Sequence, residues 1–249
     1  MWMVLIVFLF GIVVGGVVNQ LGSDLPRRGT PTRPHCPYCG RDRPWWQWLG
    51  VVAYVMRRPQ CQPCGAPMRL RRPLVEVGLG VTYGYLWVLL GPSIELLFYG
   101  LYSAILALVL ITDLEHRLIL DAVTYPAVAL GLLGSFFVPG VTWWSALIGG
   151  GIALIFFYLA ALIGHVVFGA GALGGGDVKL AAFIGVVTGY PLVIEAIVLA
   201  ILIGALVSLI LLITGARSLS DYVPYGPFLV AGAVVTLLWG YRIAEWFLS

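Results

Sequence analysis

Two sets of residues in this 249-residue chain have the types and spacing to do chemistry. The first is Cys36-Pro37-Tyr38-Cys39 and, after 21 intervening residues, Cys61-Gln62-Pro63-Cys64. Each Cys-x-x-Cys puts two thiolates on one tight turn, and two such turns complete the tetrahedron that zinc takes with sulfur at about 2.3 Å. Gly40 and Gly65 directly follow the second cysteine of each pair, where the turn calls for a left-handed residue. With four protein ligands no position is left open, so structural zinc is expected on Cys36, Cys39, Cys61 and Cys64. His35 adjoins Cys36 and is read as a neighbour rather than a ligand. The second set is acidic. Asp113 lies in Ile111-Thr112-Asp113, Asp121 follows Ile119-Leu120, and Asp177 follows three glycines in Gly174-Gly175-Gly176-Asp177-Val178-Lys179.

Two carboxylates brought together can share one proton. The ionised one takes a proton from water, that water attacks a peptide carbonyl, and the protonated one donates to the carbonyl oxygen. This is aspartic protease chemistry, needs no metal, and titrates as a pair. Gly174, Gly175 and Gly176 allow close backbone approach beside Asp177. Asp121 and Asp177 could equally be helix N-caps. Asp113 is harder to explain as structure, because it falls at a C-terminal helix end, where the macrodipole disfavours an acid.

These residues must be held by membrane helices. Apolar residues make up 61% of the chain and charged residues 10%, which excludes an ordinary soluble enzyme and a disordered tail. Apolar stretches at 2–21, 74–90, 94–112, 122–138, 143–168, 178–190, 192–214 and 227–247 give about eight crossings, with 178–190 short enough to be tilted or broken. Residues 2–21 lack the basic start and small-residue cleavage site of a signal peptide and are expected to remain as the first helix. Ten of the fourteen Lys and Arg fall between Arg27 and Arg72. The positive-inside rule then places that insert in the cytoplasm, with the N-terminus outside. Arg117, Lys179 and Arg217 fall on the same side, while Arg242 alone lies toward the outer side. The expected organisation is a first helix over 1–22, a cytoplasmic zinc module over 23–73 and a membrane-embedded domain over 74–249. Within the insert, Trp45-Trp46-Gln47-Trp48 could lie at the headgroup boundary or form the core of the zinc module.

Together these residues resemble the type IV prepilin peptidases, the leader peptidase/N-methyltransferase family. The resemblance rests on the stretch from Ile111-Thr112-Asp113 to Asp121-Ala122-Val123-Thr124, on Gly174 to Lys179, on Pro224-Tyr225-Gly226-Pro227-Phe228, and on the cysteine insert followed by Arg71-Arg72-Pro73-Leu74-Val75-Glu76. It covers essentially the whole chain. It implies an all-α polytopic fold in the bacterial inner membrane. It matches Asp113 and Asp177 to the catalytic aspartates, and Asp121 to an acid usually present beside them. It implies prepilin or pseudopilin substrates cleaved after a glycine at the cytoplasmic face, and S-adenosylmethionine as a methyl donor. The departures are Leu120 where relatives often carry Pro, Asp24 before Leu25-Pro26 where they often carry a basic residue, and no recognisable Glu-Asn-Ile-Pro stretch between the cysteine pairs. These touch the side associated with N-methylation, so the peptidase expectation is the firmer of the two.

Glu76 is expected to form an interfacial ion pair with Arg71 or Arg72, with a role toward the basic leader as the alternative. Lys179 either tunes the aspartate pair or marks the cytoplasmic end. The spacing of Gly185 and Gly189 permits close helix contact, although such spacings arise readily by chance in a chain with 32 glycines. Partners are the bilayer and the prepilin substrate, without nucleic acid. Three rivals remain: another Gly-x-Gly-Asp membrane aspartyl protease, a proton-coupled transporter, and a non-catalytic zinc-bearing assembly platform.

Overall fold

The computed structural model describes residues 2–36, 38–168, 174–215 and 224–248. Arg217 and Asp221 lie outside them. Among the described residues there is no strand; the regular elements are helices, with two isolated bridges, His35–Asp42 and Gln60–Pro67, in the largely irregular insert over 29–70. The helices are α1 (Trp2–Arg28), α2 (Gly50–Val55), α3 (Arg71–Leu90), α4 (Ile94–His116), α5 (Asp121–Gly134), α6 (Trp143–Phe168), α7 (Gly175–Thr188), α8 (Leu192–Ile213) and α9 (Gly226–Leu248). The packing divides the chain into two units, 1–112 and 113–249.

In the first unit α1 and α3 pack intimately because small residues meet. A Cβ on Gly11 would lie 2.8 Å from Gly80 Cα, and one on Gly15 would lie 2.6 Å from Glu76 Cα. Apolar side chains have no hydrophobic reason to leave lipid for one another, so close backbone approach and buried hydrogen bonds must hold such helices together. Tyr83 supplies one of these bonds, donating to Gly100 O at 2.8 Å and tying α3 to α4. Trp48 and Leu49 of the insert close over Gly16 of α1.

In the second unit α7 is the hub. It packs against α5, α6, α8 and α9, and every residue from Leu180 to Thr188 is buried. Gly149 of α6 and Gly185 of α7 fit into each other: a Cβ on Gly185 would fall 2.7 Å from Gly149 C and 2.9 Å from Ala153 Cβ. Gly189 packs on Ser145 of α6 as well. The Gly185–Gly189 spacing is therefore a used contact and not a chance match.

Among the described residues six helices are long and apolar enough to cross a membrane: α1, α3, α4, α6, α8 and α9. The other two expected crossings, α5 and α7, have 14 residues each, or about 21 Å at 1.5 Å per residue. That falls short of a bilayer core of about 30 Å. For α7 the reason is its burial, since protein surrounds it where lipid would otherwise be.

Candidate active site and metal centre

Asp113 occupies the last turn of α4 and Asp177 the first turn of α7. The α4 helix closes through Arg117, which has φ 54° and donates its N–H to Asp113 O at 2.8 Å. The α7 helix opens on Gly174, whose extended backbone leads in as the N-cap. Asp177 N–H donates to Gly174 O at 3.0 Å, and Gly174 N–H donates to Asp177 Oδ2 at 3.2 Å. This reciprocal bracket satisfies an amide at the helix start, so Asp177 does carry part of a capping role. Asp121 does not: the N-cap of α5 is Leu120, with no side-chain bond.

The two aspartates are 5% and 4% exposed, and they are close enough for one carboxylate to act electrostatically on the other. Both belong to the second unit. The glycine run serves this proximity unevenly. A Cβ on Gly176 would lie 2.8 Å from Ile119 Cβ, so glycine there lets α7 start against the segment between Asp113 and Asp121. A Cβ on Gly174 would lie 3.2 Å from Asp177 Oδ2, whereas one on Gly175 would meet nothing within 4 Å. Tyr225 stands within electrostatic reach of Asp177, and its ring lies 5.9 Å from both Phe157 and Phe228. Asp113 Oδ2 is buried and has no hydrogen-bond partner among the described residues. Two buried carboxylates in mutual reach, one with an oxygen uncommitted, can hold a shared proton and polarise a water.

Lys179 does not face this pair. Its Nζ bonds Asp121 Oδ1 at 2.6 Å and lies 5.2 Å from the centre of the Tyr125 ring, in a half-exposed setting. Asp121 is thus exposed and paired with lysine, apart from the buried dyad. Glu76 also departs from the expected ion pair. It is fully buried, and its carboxylate accepts Gly50 N–H and Val51 N–H, both at 2.8 Å, and Asn19 Nδ2 at 3.5 Å. Its place is the N-terminus of α2, where amides lack helical partners and the dipole favours an anion. Arg71 turns instead to Ser23 Oγ at 2.9 Å and Asn19 O at 3.4 Å. Asp24, which sequence reading noted only as a departure from the family pattern, is buried and accepts from Gln20, from Thr32 N–H and from Thr32 Oγ1–H. It thereby pins the chain where it leaves α1.

The four cysteines converge. Their sulfurs all lie within 4.8 Å of one another, with Cys36 to Cys64 at 3.8 Å and Cys39 to Cys61 at 3.7 Å. A tetrahedron with zinc–sulfur bonds of about 2.3 Å has edges of about 3.8 Å, so the donor set fits zinc, which would cross-link the two turns. The turns are copies of each other. Gly40 N–H bonds Cys36 O and Gly65 N–H bonds Cys61 O; Cys36 N–H bonds Arg41 O and Cys61 N–H bonds Ala66 O, all at 2.8–2.9 Å. Gly40 and Gly65 have φ 72° and 69°, as their positions required. Burial opposes ionisation at Cys36, but the Cys39 and Tyr38 amides and the neighbouring thiols outweigh it and bring the thiol down to about 6. Burial and the same thiols push Cys61 up to about 12.

Comparison with known proteins finds relatives along nearly the whole chain. The model of the type IV leader peptidase family matches residues 100–209, which hold both aspartates. The model of the bacterial peptidase A24 N-terminal domain matches residues 9–90, which hold the cysteines and Glu76. A prepilin leader peptidase/N-methyltransferase of Bacillus subtilis (strain 168) is 27% identical over 252 residues, covering 99% of this chain and 98% of that protein. One of Burkholderia pseudomallei (strain K96243) is 30% identical, covering 90% and 75%. One of Pseudomonas aeruginosa is 28% identical, covering 99% and 93%. No solved structure matches the chain. With both family models placed in order along its length and relatives aligned nearly end to end, the chain belongs to the type IV leader peptidase family.

Proposed function

We propose that this protein is a membrane aspartic endopeptidase that removes the short basic leader of type IV prepilins or pseudopilins, cleaving after a glycine, with Asp113 and Asp177 as its catalytic pair. The observation that carries this reading is the burial of both carboxylates within electrostatic reach of each other, at helix ends that the chain reaches 64 residues apart. One carboxylate draws a proton from water as the water attacks the scissile carbonyl, and the other protonates the carbonyl oxygen. Rival readings need other features: a transporter calls for acids near the midplane of crossing helices, whereas these sit in the last turn of α4 and the first turn of α7.

The site is assigned to the cytoplasmic face of the bacterial inner membrane, with the N-terminus outside and the Arg-rich module of residues 23–73 on the cytoplasmic side. Cys36, Cys39, Cys61 and Cys64 hold structural zinc there. Transfer of a methyl group from S-adenosylmethionine rests on the resemblance and on the names of the relatives; the described residues supply no cradle that we assign to it.

The deciding experiment is incubation of the purified protein with a model prepilin, with the cleavage site and product mass read together. Asp113→Asn and Asp177→Asn should each reduce cleavage by at least about a thousandfold, while both variants still insert and retain zinc. Normal cleavage by either variant removes that aspartate from the chemistry. A product heavier by one methyl group would add the second activity.

A further inference from the structure

Gly226 is the first residue of α9 and lies directly against the Asp113 carboxyl group. A Cβ placed on it would fall 3.0 Å from Asp113 Cγ and 3.4 Å from Asp113 Cβ, and nearer still to Oδ2. Its backbone does not need glycine, because its φ is not in the left-handed region. The need is for space, and the group that occupies the space is the carboxylate itself. The Gly226 N–H stands within electrostatic reach of that carboxylate, whose Oδ2 has no hydrogen-bond partner among the described residues. As the first amide of a 23-residue helix it has no helical acceptor and stands at the positive end of the macrodipole. The turn that presents it is fixed, since Phe228 N–H and Leu229 N–H bond Tyr225 O at 3.0 and 3.3 Å. The Tyr225 and Phe228 rings are seated against Gly204 of α8, at 3.4 and 3.2 Å from the position of a Cβ there. Asp177 has the matching arrangement with Gly174, so each aspartate rests on a glycine at a helix N-terminus.

We propose that Gly226 is a positioning residue for peptide cleavage: its missing side chain lets the start of α9 seat the Asp113 carboxylate and fix where it meets Asp177. This rests on the reading of Asp113 and Asp177 as the catalytic pair. Positioning of this kind acts on the chemical step, because a small displacement of a reacting group costs rate without removing substrate contacts.

The test is Gly226→Ala in the full chain, assayed on a model prepilin. We expect kcat to fall by about tenfold or more with KM within about twofold. The control is Gly151→Ala in α6, whose Cβ would meet nothing within 4 Å; it should cleave as the parent does. The added methyl group clashes with Asp113 itself, so Gly226→Ala should lower the thermal midpoint of the parent and leave that of Asp113→Ala unchanged. Parent-like kcat in Gly226→Ala, or an equal loss of midpoint in both backgrounds, overturns the proposal. If Gly226→Ala alone does not fold, the Asp113→Ala/Gly226→Ala chain should still fold and hold zinc, and its failure to do so counts against the proposal. Normal cleavage by Asp113→Asn would instead sink the peptidase assignment, while the stability comparison would still report on the contact.

Discussion

At the residue scale the acids divide by what surrounds them rather than by their motifs. Asp121 and Asp177 shared one alternative in sequence, that of a helix N-cap. In the structure Asp121 is exposed against Lys179, and Asp177 is buried beside Asp113. Gly174 lies against the Asp177 carboxylate and Gly176 against the Ile119 side chain, while no glycine directly precedes Asp121. Glu76 was legible as unusual but not in its role, because its partners are main-chain amides of Gly50 and Val51, and main-chain donors leave no mark on a one-letter sequence. Glu76→Ala would leave the buried Gly50 amide and the half-buried Val51 amide without their acceptor, at a cost of about 1–3 kcal/mol. We expect a lower thermal midpoint and faster amide exchange at Gly50 and Val51. Glu76→Gln, which keeps one acceptor oxygen, should lose less.

At the scale of elements, the four-cysteine module was the part most fully readable in advance. Two Cys-x-x-Cys-Gly turns are local structures, specified by residues adjacent in sequence, so spacing alone determined their shape. Their convergence was also readable, since two Cys-x-x-Cys turns at this separation have the spacing of a four-sulfur metal site. Cys36→Ser should lower bound zinc, measured by metal analysis of the purified protein, and should speed proteolysis between residues 29 and 70. Full metal retention in all four single cysteine variants would exclude the site. Gly226 was quoted in a motif without a reason, and the reason is an encounter between residues 113 positions apart, which no local pattern carries. Trp48 is similar, since its packing against Gly16 depends on a residue of another helix.

On the scale of the whole molecule, the polytopic membrane character followed from composition and the all-α fold from the resemblance, whereas the number of crossings did not follow from either. Hydropathy counts apolar residues without distinguishing those that face lipid from those that face protein. The α7 helix is apolar all round because it is enclosed, and its 14 residues need not match a bilayer. The 14-residue α5 poses the same question at its two ends. If α5 spans and the proposed orientation holds, Leu118→Cys reacts with an impermeant thiol reagent only from the cytoplasmic side and Pro139→Cys only from the other. Reaction of both from one side would reduce the number of crossings and reassign every loop after residue 134. Enclosure of α7 has a mechanical consequence as well. A helix gripped by four neighbours is an anvil: it holds Asp177 still, and whatever yields to admit a stretch of incoming chain must belong to the surrounding walls.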